Sequence, residues 1–250
     1  MSARGKYIYG VIREPGSRRF DMVGLEDAVV YTVNHQKLAA VVSDIELKEI
    51  DPTRKNVLAH TIVQDRLLKD YTLLPMGFGM VAGGEPEVRR LLENNYRGLQ
   101  GELERLDGKI QAELKVFWDQ EAVLRELQGE SQELAKLKAK VDSASSPIEA
   151  QSLLVEAGRR VERVALEWKA KYAQQIYATL KGLSVDARLS DPAGVKNILN
   201  ASFLIDRARE SEFQREIYKL DSRYQGRLNL KYVRPLPPYS FVNLRLDLAK

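Results

Sequence analysis

The stretch from Asn197 to Leu246, NILNASFLIDRARESEFQREIYKLDSRYQGRLNLKYVRPLPPYSFVNLRL, leaves few choices of architecture. It holds a strand, a helix, a second strand and a proline-rich end in immediate succession. Asn197 to Ile205 is apolar and ends at Asp206, a residue suited to cap a following helix through its side-chain oxygen. Phe213, Ile217 and Leu220 then recur at helical spacing among charged residues, predicting a helix with one wet face. Gly226 tolerates positive φ and closes that helix. From Arg227 the pattern alternates, with Leu228, Leu230 and Tyr232 on one side and Arg227, Asn229 and Lys231 on the other, as in a half-buried strand.

The upstream half supplies more sheet. Tyr7–Ile12, Ala28–Val33 and Leu38–Ser43 read as strands, the last two joined by a turn at Asn34 and His35. Asp51 and Pro52 open a helix whose stripe is Val57, Leu58, Ile62, Val63, Leu67 and Leu68. Thr72–Met76 returns to the sheet, the glycines from Gly77 to Gly84 form a loop or weak edge, and Glu85, Pro86 and Glu87 start a helix running through Leu99. Beyond Asp107, Ile110 to Phe117 is a strand ending at Trp118, followed by a charged helical stretch with a heptad-like seam at Val123, Leu127, Leu134, Leu137 and Val141. Ser146 and Glu149 flank Pro147 as a capping box for a second long helix, with Leu154, Ala157, Val161, Val164, Trp168, Tyr172, Ile176 and Leu180 along one side. About thirty-five residues at 1.5 Å each give roughly 50 Å, so this hairpin projects from its sheet. Leu183–Leu189 is the next strand.

The expected fold class is therefore α+β in two domains. Residues 1–107 form a smaller α+β sheet domain. Residues 108–250 form a ferredoxin-like domain of split βαβ order with a helical hairpin at about 119–182. That fold hosts enzymes, RNA binders and assembly proteins alike, so function must come from sites.

Chemistry is sparse. With no cysteine, disulfides and thiolate metal sites are excluded. The 39 basic and 35 acidic residues give +4, but the signs interleave along helices, which describes a solvated surface and not a nucleic-acid footprint. No signal peptide opens the chain and no segment is apolar enough for a membrane span, so a soluble, unsecreted protein is expected. Of the two histidines, His35 falls in a turn and His60 within the striped helix, where Asp65 is five residues on and off the same face. A satisfied, partly buried histidine is the expectation. Gly77, Gly79 and Gly83 are one residue too long for a dinucleotide fingerprint, and Glu85 and Glu87 at the next helix start repel phosphate. No catalytic residue, cofactor or metal is expected.

The runs NASFLIDR, GRLNLKYV and PLPPYSFV, with YIYGVI, LAAVVSDI, VLAHTIVQDRLL and TLLPMGFGMV upstream in that order, resemble the gas vesicle protein F/L family over nearly the whole chain. Two departures from its pattern are MGFG in place of an LRFG-like run and YVR in place of YTG. The resemblance implies a non-enzymatic accessory or minor structural protein, in the cytoplasm and at the gas vesicle, whose partners are the hydrophobic shell protein and other gas vesicle accessory proteins. The alternative is a ferredoxin-like RNA-binding or regulatory module, for which RLNLKYVRP has the basic and aromatic ingredients but no RNP-type aromatic run. PLPPYSFV reads equally as a packing clip and as a partner surface. The candidate partner-binding residues are Arg227, Tyr232, Pro235, Pro237, Pro238, Tyr239 and Phe241. Phe241 is expected in the core against the ferredoxin-like sheet, and Tyr239 accessible through its hydroxyl end.

Overall fold

A computed structural model of the protein describes residues 4–119, 121–122, 136, 139–194 and 196–246. Strand β1 (Arg4–Arg13) is the axis of the first sheet, joined there by β2 (Arg19–Val23), β3 (Val29–His35), β4 (Leu38–Glu46), β5 (Leu74–Pro75) and β6 (Val81–Ala82). The order is β2-β3-β4-β1-β5, with β6 also on β1. β1 runs antiparallel to β4 from Arg4↔Glu46 to Arg13↔Leu38, with a bulge between Ile8 and Gly10. Its apolar run is continuous because both faces are covered: α1 (Arg54–Asp70) packs on β1, and α2 (Glu85–Asn94) and α3 (Tyr96–Arg105) pack on β3, β4 and β1. Ile8, Val11 and Ile12 are fully buried, each contributing roughly 1.5–3 kcal/mol of transfer free energy. Gly24 is required by close approach. The Tyr9 hydroxyl, which accepts from Leu25 N–H at 2.9 Å and bonds Ser43 at 2.8 Å, lies 1.9 Å from where a Cβ at position 24 would stand.

The chain divides into two compact units. One comprises residues 1–111, 206–208 and 234–250; the other comprises 112–205 and 209–233. The second contains β7 (Lys109–Trp118, from Ala112), α4 (Pro147–Lys181), β8 (Asp186–Ser190), β9 (Asn197–Asp206), α5 (Glu210–Arg223) and most of β10 (Leu228–Leu236). Its sheet order is β10-β7-β9-β8, with β8 antiparallel to β9. Phe203 of β9 meets Phe213 of α5 at 5.4 Å and Tyr177 of α4 at 6.0 Å, and Tyr172 and Tyr224 join the two helices at 5.4 Å.

Helix α4 begins as its sequence predicts, with Ser146 Oγ accepting from Glu149 N–H at 3.2 Å and Pro147 at the first position. The Glu149 carboxylate turns to Ser145, accepting from its N–H and its hydroxyl at 2.9 Å each, and not to Ser146 as a reciprocal box requires. The half-buried stripe uses Leu153; Leu154 is exposed. Val123, Leu127, Leu134 and Leu137 of the expected first arm lie outside the described residues.

Other boundaries differ for physical reasons. The β3–β4 turn is at Gln36 and Lys37, because His35 pairs with Leu38 and Gln36 takes φ 52°. Asn34 remains in the strand and its amide donates to Glu14 and Gly16 carbonyls. Helix α1 starts at Arg54, two residues after Pro52, and its cap is Thr53, which accepts from Asn56 N–H at 3.2 Å. The face it buries is His60, Val63, Gln64, Leu67 and Leu68, while Val57, Leu58 and Ile62 stay outside. Counting apolar residues alone misaligned this stripe, since two polar side chains find partners in the interior. The helix expected from Glu85 through Leu99 breaks at Asn95, whose amide donates to Leu91 O at 2.8 Å. Asp206 is the last residue of β9 and caps nothing; a 3-10 turn at Arg207–Arg209 precedes α5, and Glu210 and Glu212 supply negative charge to its first turn. Gly226 follows α5 with φ 80°. Leu183 and Ser184 are spent in the turn after α4, their N–H groups donating to the Leu180 and Lys181 carbonyls, so β8 starts only at Asp186.

Candidate functional site

The closing segment after β10 is built by its prolines. Pro235 is still within β10, but Pro237 and Pro238, directly after it, have no N–H to give a ladder, so strand pairing stops and a single 3-10 turn, Tyr239–Phe241, comes next. The Arg234–Pro235 peptide is cis. Phe241 N–H donates to Pro238 O at 2.9 Å, and Tyr239 N–H to Pro237 O at 2.7 Å. This turn lies within the first unit, with residues of α1, α3 and β7's beginning around it. Ser240 N–H donates to Gln111 Oε1 at 2.9 Å, Asn243 N–H to Glu102 Oε2 at 3.2 Å, and Arg105 to the Phe241 carbonyl. The Leu244 side chain covers Gly98 so closely that a Cβ there would stand 2.7 Å from it.

Tyr239 enters a buried polar chain whose proton positions are fixed by elimination. Gln64 donates both amide hydrogens, to Tyr9 O at 2.7 Å and Met76 O at 3.1 Å. Its Oε1 is then a pure acceptor and takes the Tyr239 O–H, for which Met76 O, 3.1 Å away, is the second acceptor within reach. With its hydrogen committed, the Tyr239 oxygen can only accept from His60 Nε2, 3.1 Å away. His60 Nδ1 therefore carries no proton in the neutral ring and accepts from Tyr7 O–H at 2.9 Å, and the Tyr7 oxygen in turn accepts from Gly79 N–H at 3.1 Å. One tautomer satisfies every member.

The electrostatics agree. His60 is 3 % exposed, stacked beside Tyr9 and edge-on to Tyr7 and Phe78. Burial pushes its pKa down to about 4 and pushes the Tyr7 and Tyr239 hydroxyls up to about 12. A neutral imidazole with both nitrogens occupied and no water-facing edge has no proton to exchange with a substrate. Among the described residues there is no group of three or more His, Cys, Asp or Glu that could hold a metal ion. What the arrangement does is hold the closing segment in place.

The seven candidate residues separate accordingly. Pro237, Pro238, Tyr239 and Phe241 come together, with both prolines buried and Phe241 at 0 % exposure. Phe241 groups with the first unit. Tyr239 is 44 % exposed, but it is the ring that faces outward and the hydroxyl that is held inside, the reverse of the orientation expected from its amphipathic character. Gln64 and Met76 O explain the reversal: each needs a buried partner. Pro235 is exposed. Arg227 and Tyr232 belong to the second unit, where Arg227 O accepts from Asp119 N–H at 2.7 Å and the Tyr232 ring leans on Phe213 at 6.1 Å. Sequence reasoning missed Gln64 and Tyr7. The one available signal was a glutamine inside an otherwise apolar helical stripe.

The described residues make a two-sheet α+β protein whose best-organised polar cluster is structural, with an accessible proline–tyrosine surface beside it. Comparison with known proteins is specific. The model of the family described as gas vesicle synthesis protein GvpL/GvpF matches residues 5–243, so the chain belongs to that family. Gas vesicle protein F of Nostoc sp. is 26% identical over 243 residues, covering 96% of this chain and 98% of that protein. Gas vesicle protein F of Streptomyces sp. is 29% identical over 239 residues, covering 94% and 98%. The crystal structure of GvpF from Anabaena sp. superposes with a TM-score of 0.82 at 26% identity, covering 98% of this chain and 100% of that one. The family is described by a role in gas vesicle synthesis and not by a reaction.

Proposed function

We propose that the chain is a non-enzymatic accessory component of gas vesicles that binds the hydrophobic shell protein and other gas vesicle accessory proteins during assembly, in the cytoplasm and at the vesicle. The observation that carries this reading is the family match from residue 5 to 243, which takes in both compact units and the whole closing segment up to Asn243. An apolar shell subunit needs its strand faces covered before assembly, and a binder with accessible apolar groups on a rigid mount serves that need. In this reading Pro237, Pro238 and Phe241 are the mount, while Pro235 and the Tyr239 ring are presented; Arg227 and Tyr232 are a separate candidate contact within the second unit.

The second unit is read as ferredoxin-like. Numbered within 108–250, its strand order is 4-1-3-2, in keeping with split βαβ connectivity, and the boundary from 1–107 is drawn near Asp107. RNA binding is the weaker use of such a sheet here. The face turned away from α4 and α5 draws Ile198, Asn200, Ser202 and Leu204 from β9, with no aromatic among them.

The test is co-purification of the full-length protein with the shell protein, set beside vesicle formation in a deletion strain. Shell-protein capture that drops on Tyr239→Ala, in a protein that still melts cooperatively, is the expected result. Normal vesicles in the deletion strain, or capture indifferent to Tyr239, would overturn the reading.

A further inference from the structure

Helix α1 breaks two rules on its outward face. Val57, Leu58 and Ile62 are 40, 55 and 43 % exposed, and Leu58 and Ile62 stand one above the other at i and i+4. Valine and isoleucine are weaker helix formers than the leucine, lysine or glutamate common on wet helix faces, and solvent returns nothing for their apolar area. The first turn has no acidic residue and opens with Arg54 and Lys55, where the helix dipole disfavours positive charge. Arg66 and Lys69 continue the basic border toward the other end. One carboxylate, Asp65, stands in the middle, its pKa raised by partial burial against the opposing charge of Lys69. Departures from propensity and from dipole preference on one surface mark a face retained for something other than stability.

We propose that this face docks an amphipathic helix of another protein, one whose apolar stripe is bordered by carboxylates. Three physical points select that occupant. The main-chain groups of α1 are spent within the helix, so it offers no edge to a strand, and a partner must arrive with its own main chain already satisfied. Side-chain ridges of a second helix fit between Leu58 and Ile62 in the ordinary helix-packing geometries. Carboxylates opposite Arg54 and Lys55 relieve the unfavourable dipole contact, giving an acidic partner an advantage over a neutral one.

Two other occupants fit less well. A second copy docked about a two-fold axis sets the basic ends of α1 against each other or against Arg66 and Lys69, like charge against like. An anionic membrane calls for a broad apolar face lying in the interface, whereas α1 has His60, Val63, Gln64, Leu67 and Leu68 committed to the interior. Its residues are none of those assigned to shell-protein binding in the closing segment, so variants at Arg54, Lys55 and Leu58 test it apart from that reading.

The experiment uses isotope-labelled full-length protein titrated with two synthetic helical peptides that share one leucine stripe, bordered by glutamate in one and by lysine in the other. Vesicles of phosphatidylglycerol and phosphatidylcholine are titrated in parallel. The expected result is movement of the amide signals of residues 54–69 with the glutamate peptide, at least about tenfold weaker binding of the lysine peptide, and a similar loss in Leu58→Glu and in the pair Arg54→Glu with Lys55→Glu. Leu58 is exposed, so its variant should melt with the parent; if it does not, Ile62→Ser supplies the same comparison. Equal binding of both peptides, shifts confined to residues outside α1, unchanged affinity in the variants, self-association that places α1 between copies, or capture by the vesicles alone would each overturn the proposal.

Discussion

Lowering the pH should destabilise this protein through His60 before most of the carboxylates are titrated. The folded imidazole has a pKa of about 4, against 6.5 for the unperturbed side chain, so between those values the unfolded chain binds a proton that the native one excludes. Stability therefore rises with pH through this window; it is lost as pH falls from about 6.5 and levels off, for this group, below about 4. The full difference of some 2.5 pH units corresponds to about 3 kcal/mol, of which about 2 kcal/mol is already gone at pH 5. The cost has a structural cause. A proton on Nδ1 turns an acceptor into a second donor facing the Tyr7 hydroxyl, whose own hydrogen then has no acceptor in the chain. Urea denaturation at pH 7 and pH 5 on the parent and on His60→Gln isolates the effect, because the carboxylates near pH 5 contribute to both proteins alike. The parent should lose about 2 kcal/mol more than the variant between the two pH values. Parallel losses would mean that His60 is not held neutral, and the proton assignment of the entire chain would fail with it.

Phe241→Ala should cost about 3–5 kcal/mol in a denaturation midpoint, since a fully buried ring is replaced by a cavity. Tyr239→Phe keeps the exposed ring and deletes only the hydroxyl, leaving Gln64 Oε1 and His60 Nε2–H unpaired, and should cost about 1–3 kcal/mol by the same measurement. Gly24→Ala should destabilise by about 1–3 kcal/mol and shift the near-ultraviolet tyrosine signal as the Tyr9 hydroxyl is displaced. Ser146→Ala removes the cap of α4 and should cost about 1 kcal/mol, read as faster amide exchange in its first turn.

Local chemistry is what the sequence makes legible. The start of α4 is set by Ser146, Pro147 and Glu149 within four positions, and β1 and β4 announce themselves as apolar runs because both sheet faces are covered. The turn glycine at 226 is likewise a local requirement. Features governed by distant partners are not legible in this way. The buried face of α1 includes His60 and Gln64, and what makes burying them tolerable is Tyr239, well over a hundred positions away in the chain. The same remoteness hides which end of Tyr239 faces inward. Asp206 has the chemistry of a cap, but the preceding strand runs through it, and the break at Asn95 rests on a side chain competing for a backbone carbonyl. The prolines of the closing segment end a strand, as their missing donors require, but no residue near them encodes which unit receives Tyr239 and Phe241.

The return of the closing segment to the first unit also sets an order of events during synthesis. Residues that form most of that unit leave the ribosome first, yet His60, Gln64 and Glu102 wait for Tyr239 and Asn243, nearly the last residues described. At typical elongation rates of about 5–20 residues per second, the intervening chain takes roughly 10–30 s to make. Throughout that interval the nascent unit has Tyr7, Tyr9 and Met76 in place but lacks the hydroxyl that His60 Nε2 and Gln64 Oε1 bond in the finished protein. A chain released early cannot supply it, so a prematurely terminated product is left with an unlocked first unit open to proteases, and only full-length copies pass into the folded pool.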